Sequence, residues 1–453
     1  MKTRTSLILC VVAVLGLVAV QPAQAAILYW DTNGATAGAC PSGNTAPGTW
    51  DSNTTANWTT SSAGTVATQT YGGVTNQAIF AAGTDATGSY TVTVSGTVPI
   101  TSGTGASAGL KLEEGNVTLT GGIISPGSGN ANYGIDVATS STLTINSQWW
   151  NNAAGSNQGL TKSGAGTVIM NGSYVNVSAF TITGGTWIAS TTSGLPGTSA
   201  NKLQTVNGGT LGFRIGGSGW TTAQVDTRMA YVTKTSGAFG IDTTNGDLAQ
   251  WTAFTTTNFG ASLGLVKLGS NTFTLTYANT YAGPTTVGAG TLLVNNTTGS
   301  GTSTGAVTVS SGATLGGGGS IGGAVNVLTG GILAPGASLG TLTVANNVTL
   351  SGDFLVDVET DGTSDLLAVT GDLTLGGSLT IANLSKLVSP VYTIATYTGS
   401  LGGSSFASTN LGTTGYIVDT TSTPGSVLLV PEPATLALMA LGGLGLILGR
   451  KRK

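Results

Sequence analysis

Short runs that alternate threonine with an aliphatic residue and end in Gly, Asn or Ser recur along this chain, and they constrain its fold more than any other feature. Tyr90-Thr91-Val92-Thr93-Val94, Val117-Thr118-Leu119-Thr120, Thr142-Leu143-Thr144-Ile145, Ala306-Val307-Thr308-Val309 and Thr341-Leu342-Thr343-Val344 are the clearest. Each has the two-residue period of a half-buried strand closed by a tight turn. In the second half, similar turns succeed one another. Val287-Gly288-Ala289-Gly290-Thr291-Leu292, Val309-Ser310-Ser311-Gly312-Ala313-Thr314-Leu315 and Val327-Leu328-Thr329-Gly330-Gly331-Ile332-Leu333 start 22 and then 18 residues apart, with Val344 17 further on. A repeat of this length is a solenoid period, in which each coil stacks its strands on equivalent strands above and below. The spacing predicts an all-β fold, a parallel β-helix with aliphatics inward, threonines outward and glycine at left-handed corners. No long stretch carries a 3.6-residue apolar period, so helix content outside the two apolar ends is expected to be near zero.

Composition narrows the chemistry. Gly occupies 73 of 453 positions and charged residues only 7 %, yet glycine does not fall at every third position and Pro numbers 12, which excludes collagen. The 14 basic residues form no run outside the extreme ends, which disfavours nucleic acid as a partner. Histidine is absent. That removes Ser-His-Asp and Cys-His nucleophile activation, His-ligated zinc and histidine acid–base work; no cofactor is expected.

Both ends look like addressing signals. Lys2 and Arg4, an apolar stretch from Leu7 to Val20 and the small-x-small site Ala23-Gln24-Ala25 make residues 1–25 a secretory signal peptide cleaved between Ala25 and Ala26. The expected handlers are the secretory translocon and signal peptidase. Cys10 leaves with the signal, so Cys40 is left as a lone, passive thiol with no internal partner. At the other end, Val430-Pro431-Glu432-Pro433 precedes an uncharged apolar run from Ala434 to Gly449 and then Arg450-Lys451-Arg452-Lys453. Sixteen helical residues span about 24 Å, slightly short of a hydrocarbon core near 30 Å, a gap that basic side chains close by snorkelling. The span predicts a single inner-membrane helix with a cytoplasmic basic tail. Without the two signals the body, residues 26–430, carries a net charge of about −8, as suits an exposed extracellular protein.

Residues 430–453 resemble the PEP-CTERM sorting domain of Gram-negative bacteria. The resemblance implies export by the general secretory route, recognition of Pro431, Glu432, Pro433 and the tail Arg450, Lys451, Arg452 and Lys453 by an exosortase-type enzyme, loss of that tail, and display in an envelope or matrix rich in exopolysaccharide.

A longer echo crosses the body. Gly159-Leu160-Thr161-Lys162-Ser163-Gly164-Ala165-Gly166-Thr167 and Gly185-Thr186-Trp187 recur 105 residues later as Gly264-Leu265-Val266-Lys267-Leu268-Gly269-Ser270-Asn271-Thr272 and Gly290-Thr291-Leu292. With Asn279-Thr280-Tyr281-Ala282-Gly283-Pro284-Thr285-Thr286-Val287, the second block resembles the autotransporter-associated β-strand (passenger-associated transport) repeat. The first lacks a recognisable Asn-Tyr-Gly core between Tyr174 and Phe180. Trp30-Asp31, Thr49-Trp50-Asp51, Asn57-Trp58, Phe80 and Gly109-Leu110-Lys111-Leu112 resemble the usual start of such repeat proteins, and Asp365 to Gly371 with Leu375 to Leu379 their usual end. Fewer than 50 residues separate position 385 from the Pro-Glu-Pro, too few for a translocating outer-membrane barrel, so self-export is not expected. The expected organisation is a signal peptide (1–25), an N-terminal β region and cap (26–155), a β-helix repeat region (156–385), a C-terminal β region (386–429) and the sorting signal (430–453).

Three groups of residues could carry a site. Asp357, Glu359, Asp361, Gly362 and Asp365 fit positions one, three, five, six and nine of a calcium loop, but Ala368 stands where the bidentate Glu belongs. A strand connection is favoured, with calcium a weak alternative. Asp226, Arg228, Lys234 and Asp242, near Trp220 and Trp251, are the one central stretch of mixed charge; a glycoside hydrolase would need two carboxyls at a set separation, and solvated loop charges are the favoured reading. Trp30, Trp50, Trp58 and the pair Trp149-Trp150 could stack on sugars, but capping the solenoid ends is preferred, because open terminal strands invite edge pairing. The expected function is a non-enzymatic structural or adhesive surface protein with exopolysaccharide as a partner. The alternative is a carbohydrate-active enzyme, a polysaccharide lyase or glycoside hydrolase, on the same scaffold.

Overall fold

The computed structural model describes residues 25–432 apart from 73–75, 127–131, 151–158, 176–178, 196–202, 261, 337 and 404. The signal peptide up to Gln24, Pro433, the apolar run Ala434 to Gly449 and the tail Arg450 to Lys453 lie outside the described residues. Among the described residues no helix is long and apolar enough to cross a membrane.

The body is a parallel β-solenoid of about 11 turns. One parallel ladder runs its whole length, from Gly48–Trp50 through Ser89–Val94 and Asn116–Thr120 to Leu373–Leu375 and Leu401–Gly402. The alternation seen in sequence holds at atomic level. Val92, Leu119, Ile145 and Met170 stack in register and are fully buried or nearly so, while Thr91 and Thr93 face solvent. In the second half the same column continues as Val309, Val327 and Leu350. Each strand is too short to fold alone. Stacking coils in register buries a continuous aliphatic column, which is what stabilises a repeat architecture.

Glycine is required where the corners turn tightly. Gly185 and Gly290, 105 residues apart, have φ of +58° and +62°. A Cβ on either would collide with the carbonyl oxygen of the coil before, at Gly166 and Gly269 respectively. Only a residue without a side chain fits both demands.

Antiparallel ladders among the described strands occur at the two ends: Ile27–Trp30 with Trp58–Thr59, and Ser426–Pro431 with both Tyr392–Tyr397 and Tyr416–Asp419. Reversing the chain there covers strand edges that would otherwise invite another chain.

The little α-helix among the described residues falls in two short segments. Helix α1 (Thr222–Met229) interrupts the solenoid between the long strands Leu203–Arg214 and Val232–Asp242, and α2 (Thr256–Phe259) packs near it. Both start with a capping box, Thr221 with Gln224 and Thr255 with Asn258, an arrangement that satisfies two orphan amides. Helix α1 buries Val225, Arg228 and Met229 on one face. Two turns are too few for a periodic signal to stand out in the sequence.

Candidate functional site

The two copies of the sequence echo each place a lysine inside the solenoid. Lys162 and Lys267 are both fully buried, and each occupies an inward position that aliphatic residues fill on the neighbouring coils. Lys162 stacks between Ile135 and Ile182, and Lys267 between Ile241 and Val287. Lys162 Nζ donates to the carbonyl oxygens of Ser163 (2.5 Å), Gly164 (2.9 Å) and Gly184 (3.2 Å). Lys267 Nζ donates to those of Leu268 (2.9 Å), Gly269 (2.9 Å) and Ala289 (3.0 Å). Three ammonium hydrogens thus meet three carbonyls, two on the lysine's own corner and one on the next coil. Burial pulls both ammonium groups down to about 8, against the opposing pull of Asp136 on Lys162 and of Asp242 and Asp247 on Lys267. The arrangement ties one coil to the next, and nothing in it presents a nucleophile to a substrate. Sequence reading missed this role, although the signal was there: Leu160 and Leu265 point inward, so residues two further on must also.

The mixed-charge stretch does not converge on one centre. Asp242 is buried, takes Arg214 Nε at 2.8 Å and accepts from the Thr244 amide. Asp226 is exposed and accepts from Trp251 Nε1 at 3.0 Å. Arg228 lies 5.5 Å above the Trp220 ring, and Trp220 is buried, donating through Nε1 to the Ala189 carbonyl. Burial lowers Arg228 and Lys234 below their ordinary values. A groove of about 330 Å³ beside α1 is lined by Thr192, Trp220, Ala223, Gln224, Thr227 and Arg228. It brings Arg228 together with Trp220 but includes neither Asp226 nor Asp242 among its lining residues.

The N-terminal tryptophans form a plug. Trp30, Trp50 and Trp58 are each 0 % exposed, and their rings pack 4.9–5.7 Å, centroid to centroid, from one another, Tyr71 and Phe80. Such contacts leave no ring face for a sugar. Trp149 points inward beside Tyr174, and Trp150, one residue on, is partly buried. Cys40 is buried, and burial with the Asp85 carboxylate pushes its thiol up to about 11, a passive state.

The acidic group in the 357–365 turn is spread over separate partners. Asp357 accepts from Asn383 Nδ2, Glu359 pairs with Lys386, and Asp361 accepts from the Thr363 amide. Asp365 turns inward, 2 % exposed, and accepts from the amides of Gly340 and Asp357 at 3.0 Å each. Burial pushes it up to about 6 despite those bonds. Among the described residues no three His, Cys, Asp or Glu side chains gather to hold a metal.

The Pro-Glu-Pro begins inside the last sheet. Pro431 pairs with Tyr416 and Val430 with Ile417, and the Glu432 amide donates to the Gly415 carbonyl at 2.7 Å. Ala25 and Ala26, at the expected signal cleavage site, are exposed immediately before the first strand.

Comparison with known proteins follows these features closely. Residues 160–190 and 265–294 match the passenger-associated-transport-repeat family, and residues 429–453 match the PEP-CTERM protein-sorting motif. The repeat matches contain the two buried lysines at equivalent places, and the first block matches the family without a recognisable Asn-Tyr-Gly core. A segment of 162 aligned residues, 33 % of this chain, is 34 % identical to the adhesin BmaC autotransporter of Brucella suis biovar 1 (strain 1330). The chain spans about 5 % of that protein's length. The PEP-CTERM match implies recognition by an exosortase-type sorting system, and the matches together point to an exported β-helix surface protein.

Proposed function

We propose that this chain is a structural or adhesive protein of a Gram-negative cell surface or extracellular matrix, associated with exopolysaccharide or biofilm. The translocon and signal peptidase deliver it, residues 434–449 hold it transiently in the inner membrane, and an exosortase-type enzyme sorts it through Pro431, Glu432 and Pro433. The observation that carries this reading is the junction itself: a solenoid bearing passenger-type repeats passes without a linker into a sorting motif. The similarity to an adhesin supports a role in contact, and the rigid stack of coils suits a spacer or display surface. The catalytic alternative draws no support from the mixed-charge stretch, whose carboxylates serve separate partners.

Fractionation tests the reading. An epitope tag in the exposed turn near Thr421 leaves the last strand intact, and truncation after Glu432 removes the apolar run and basic tail while keeping the sheet. The full chain is expected on the surface or in the matrix, and the truncated one in the medium or periplasm. Unchanged surface retention of the truncated chain would overturn the proposal.

A further inference from the structure

The corner where the chain leaves the folded body exposes several apolar side chains beside the Glu432 carboxylate. The strand Ser426–Pro431 lies between two antiparallel neighbours, and both begin beside its end: Tyr392 pairs with Leu429 and Tyr416 with Pro431. Immediately before Tyr392, Val388 and Val391 are 62 % and 44 % exposed, and on the other flank Ile417, paired with Val430, is 38 % exposed. Three of the larger apolar side chains that face water therefore rim one exit. Tyr416 Oη donates to the Ser389 carbonyl at 2.7 Å, and Tyr392 Oη accepts from the amides of Val388 and Ser389, so the two flanks are fastened together. Neither Val388–Val391 nor Gly415–Ile417 carries a charge. A hollow of about 290 Å³ lined in part by Phe406, Leu411, Tyr416, Ile417 and Glu432 opens at the same corner.

What lies beyond the corner identifies its partner. Glu432 is still held by the Gly415 carbonyl, and the apolar run starts at Ala434. Two extended residues reach at most ~7 Å, which is no more than the roughly 5–7 Å of headgroup layer on one side of a bilayer. A folded body tethered that closely cannot stand clear of the lipid. We propose that this corner is a membrane-contact surface, with Val388, Val391 and Ile417 set into the headgroup layer while residues 434–449 are inserted. The sorting enzyme then meets Pro431 to Pro433 between a folded sheet and the lipid surface. The inference rests on the proposed insertion of that run.

The test uses residues 26–453, the chain without its signal peptide, on a C40A background, reconstituted in vesicles of phosphatidylethanolamine and phosphatidylglycerol. Single cysteines from V388C, I417C or, far along the solenoid, T308C carry an environment-sensitive fluorophore. Alkaline carbonate extraction reports separately whether the run is inserted. With the run inserted, the labels at 388 and 417 are expected to shift to the blue and lose emission to nitroxide-bearing lipid, and the label at 308 to do neither. Labels at 388 and 417 as water-exposed as that at 308, in protein that resists extraction, would overturn the contact surface alone. Protein extracted by carbonate would overturn the insertion reading and this inference with it.

Discussion

Lys162 and Lys267 make the same three contacts 105 residues apart: each ammonium donates to two carbonyls of its own corner and to one, at Gly184 or Ala289, on the coil that follows. The two lysines fall at matching places in the two repeat matches. A repeat that returns the same charge to the same buried place uses it to hold coil to coil.

Replacing either lysine by methionine keeps much of the volume and removes a donor from three carbonyls, of which only that of Leu268 is shown keeping another, the Thr243 amide. Unsatisfied buried groups cost about 1–3 kcal/mol each, partly offset by release of the buried charge, so Lys162→Met or Lys267→Met should lower unfolding stability by roughly 2–4 kcal/mol. Urea denaturation measures it. The pH dependence separates this role from simple packing. Each lysine is near 8 when folded and 10.5 as a free group, so between these values the unfolded chain binds more protons and stability should rise with pH. The methionine variants should lose that rise.

Trp50 is central to the plug, with ring centroids 5.2–5.7 Å from Trp58, Tyr71 and Phe80. Trp50→Ala leaves a cavity at the solenoid end and should cost about 3–5 kcal/mol, seen as a lower denaturation midpoint. A variant that keeps wild-type stability would show that the aromatic cluster does not cap the end.

Asp365 predicts stabilisation by mild acid. Its folded value is about 6 and that of a free aspartate 3.8, so between these the folded protein holds a proton the unfolded chain has released. The contribution is full below about 4 and lost as pH rises through 6, on the order of 3 kcal/mol. Asp365→Asn should remove this trend. The comparison is the difference between variant and wild-type urea midpoints at pH 4.5 and pH 7.

Calcium should find no site in the 357–365 turn, because Glu359 is paired with Lys386 and Asp365 faces inward. Titration of residues 26–432 with millimolar calcium is expected to give no binding heat and no shift in thermal midpoint. Saturable heat abolished by Asp361→Asn would refute this.

The strands, the inward columns and the outward threonines are legible in the sequence, because a period of two and the glycine corners are local properties of the chain. Val92, Leu119 and Ile145 could be assigned to the core from spacing alone. The same parity placed Lys162 and Lys267 inside, against the strong preference of lysine for the surface. What makes that tolerable comes from the stacking of coils, since the third carbonyl for each ammonium comes from a corner 22 residues away and exists only once two coils stack. The inward turn of Asp365, the aromatic plug and the sheet that encloses Pro431 were decided there too. Each depends on hydrogen bonds and packing between segments far apart in sequence, and local spacing carries no record of which distant groups will meet.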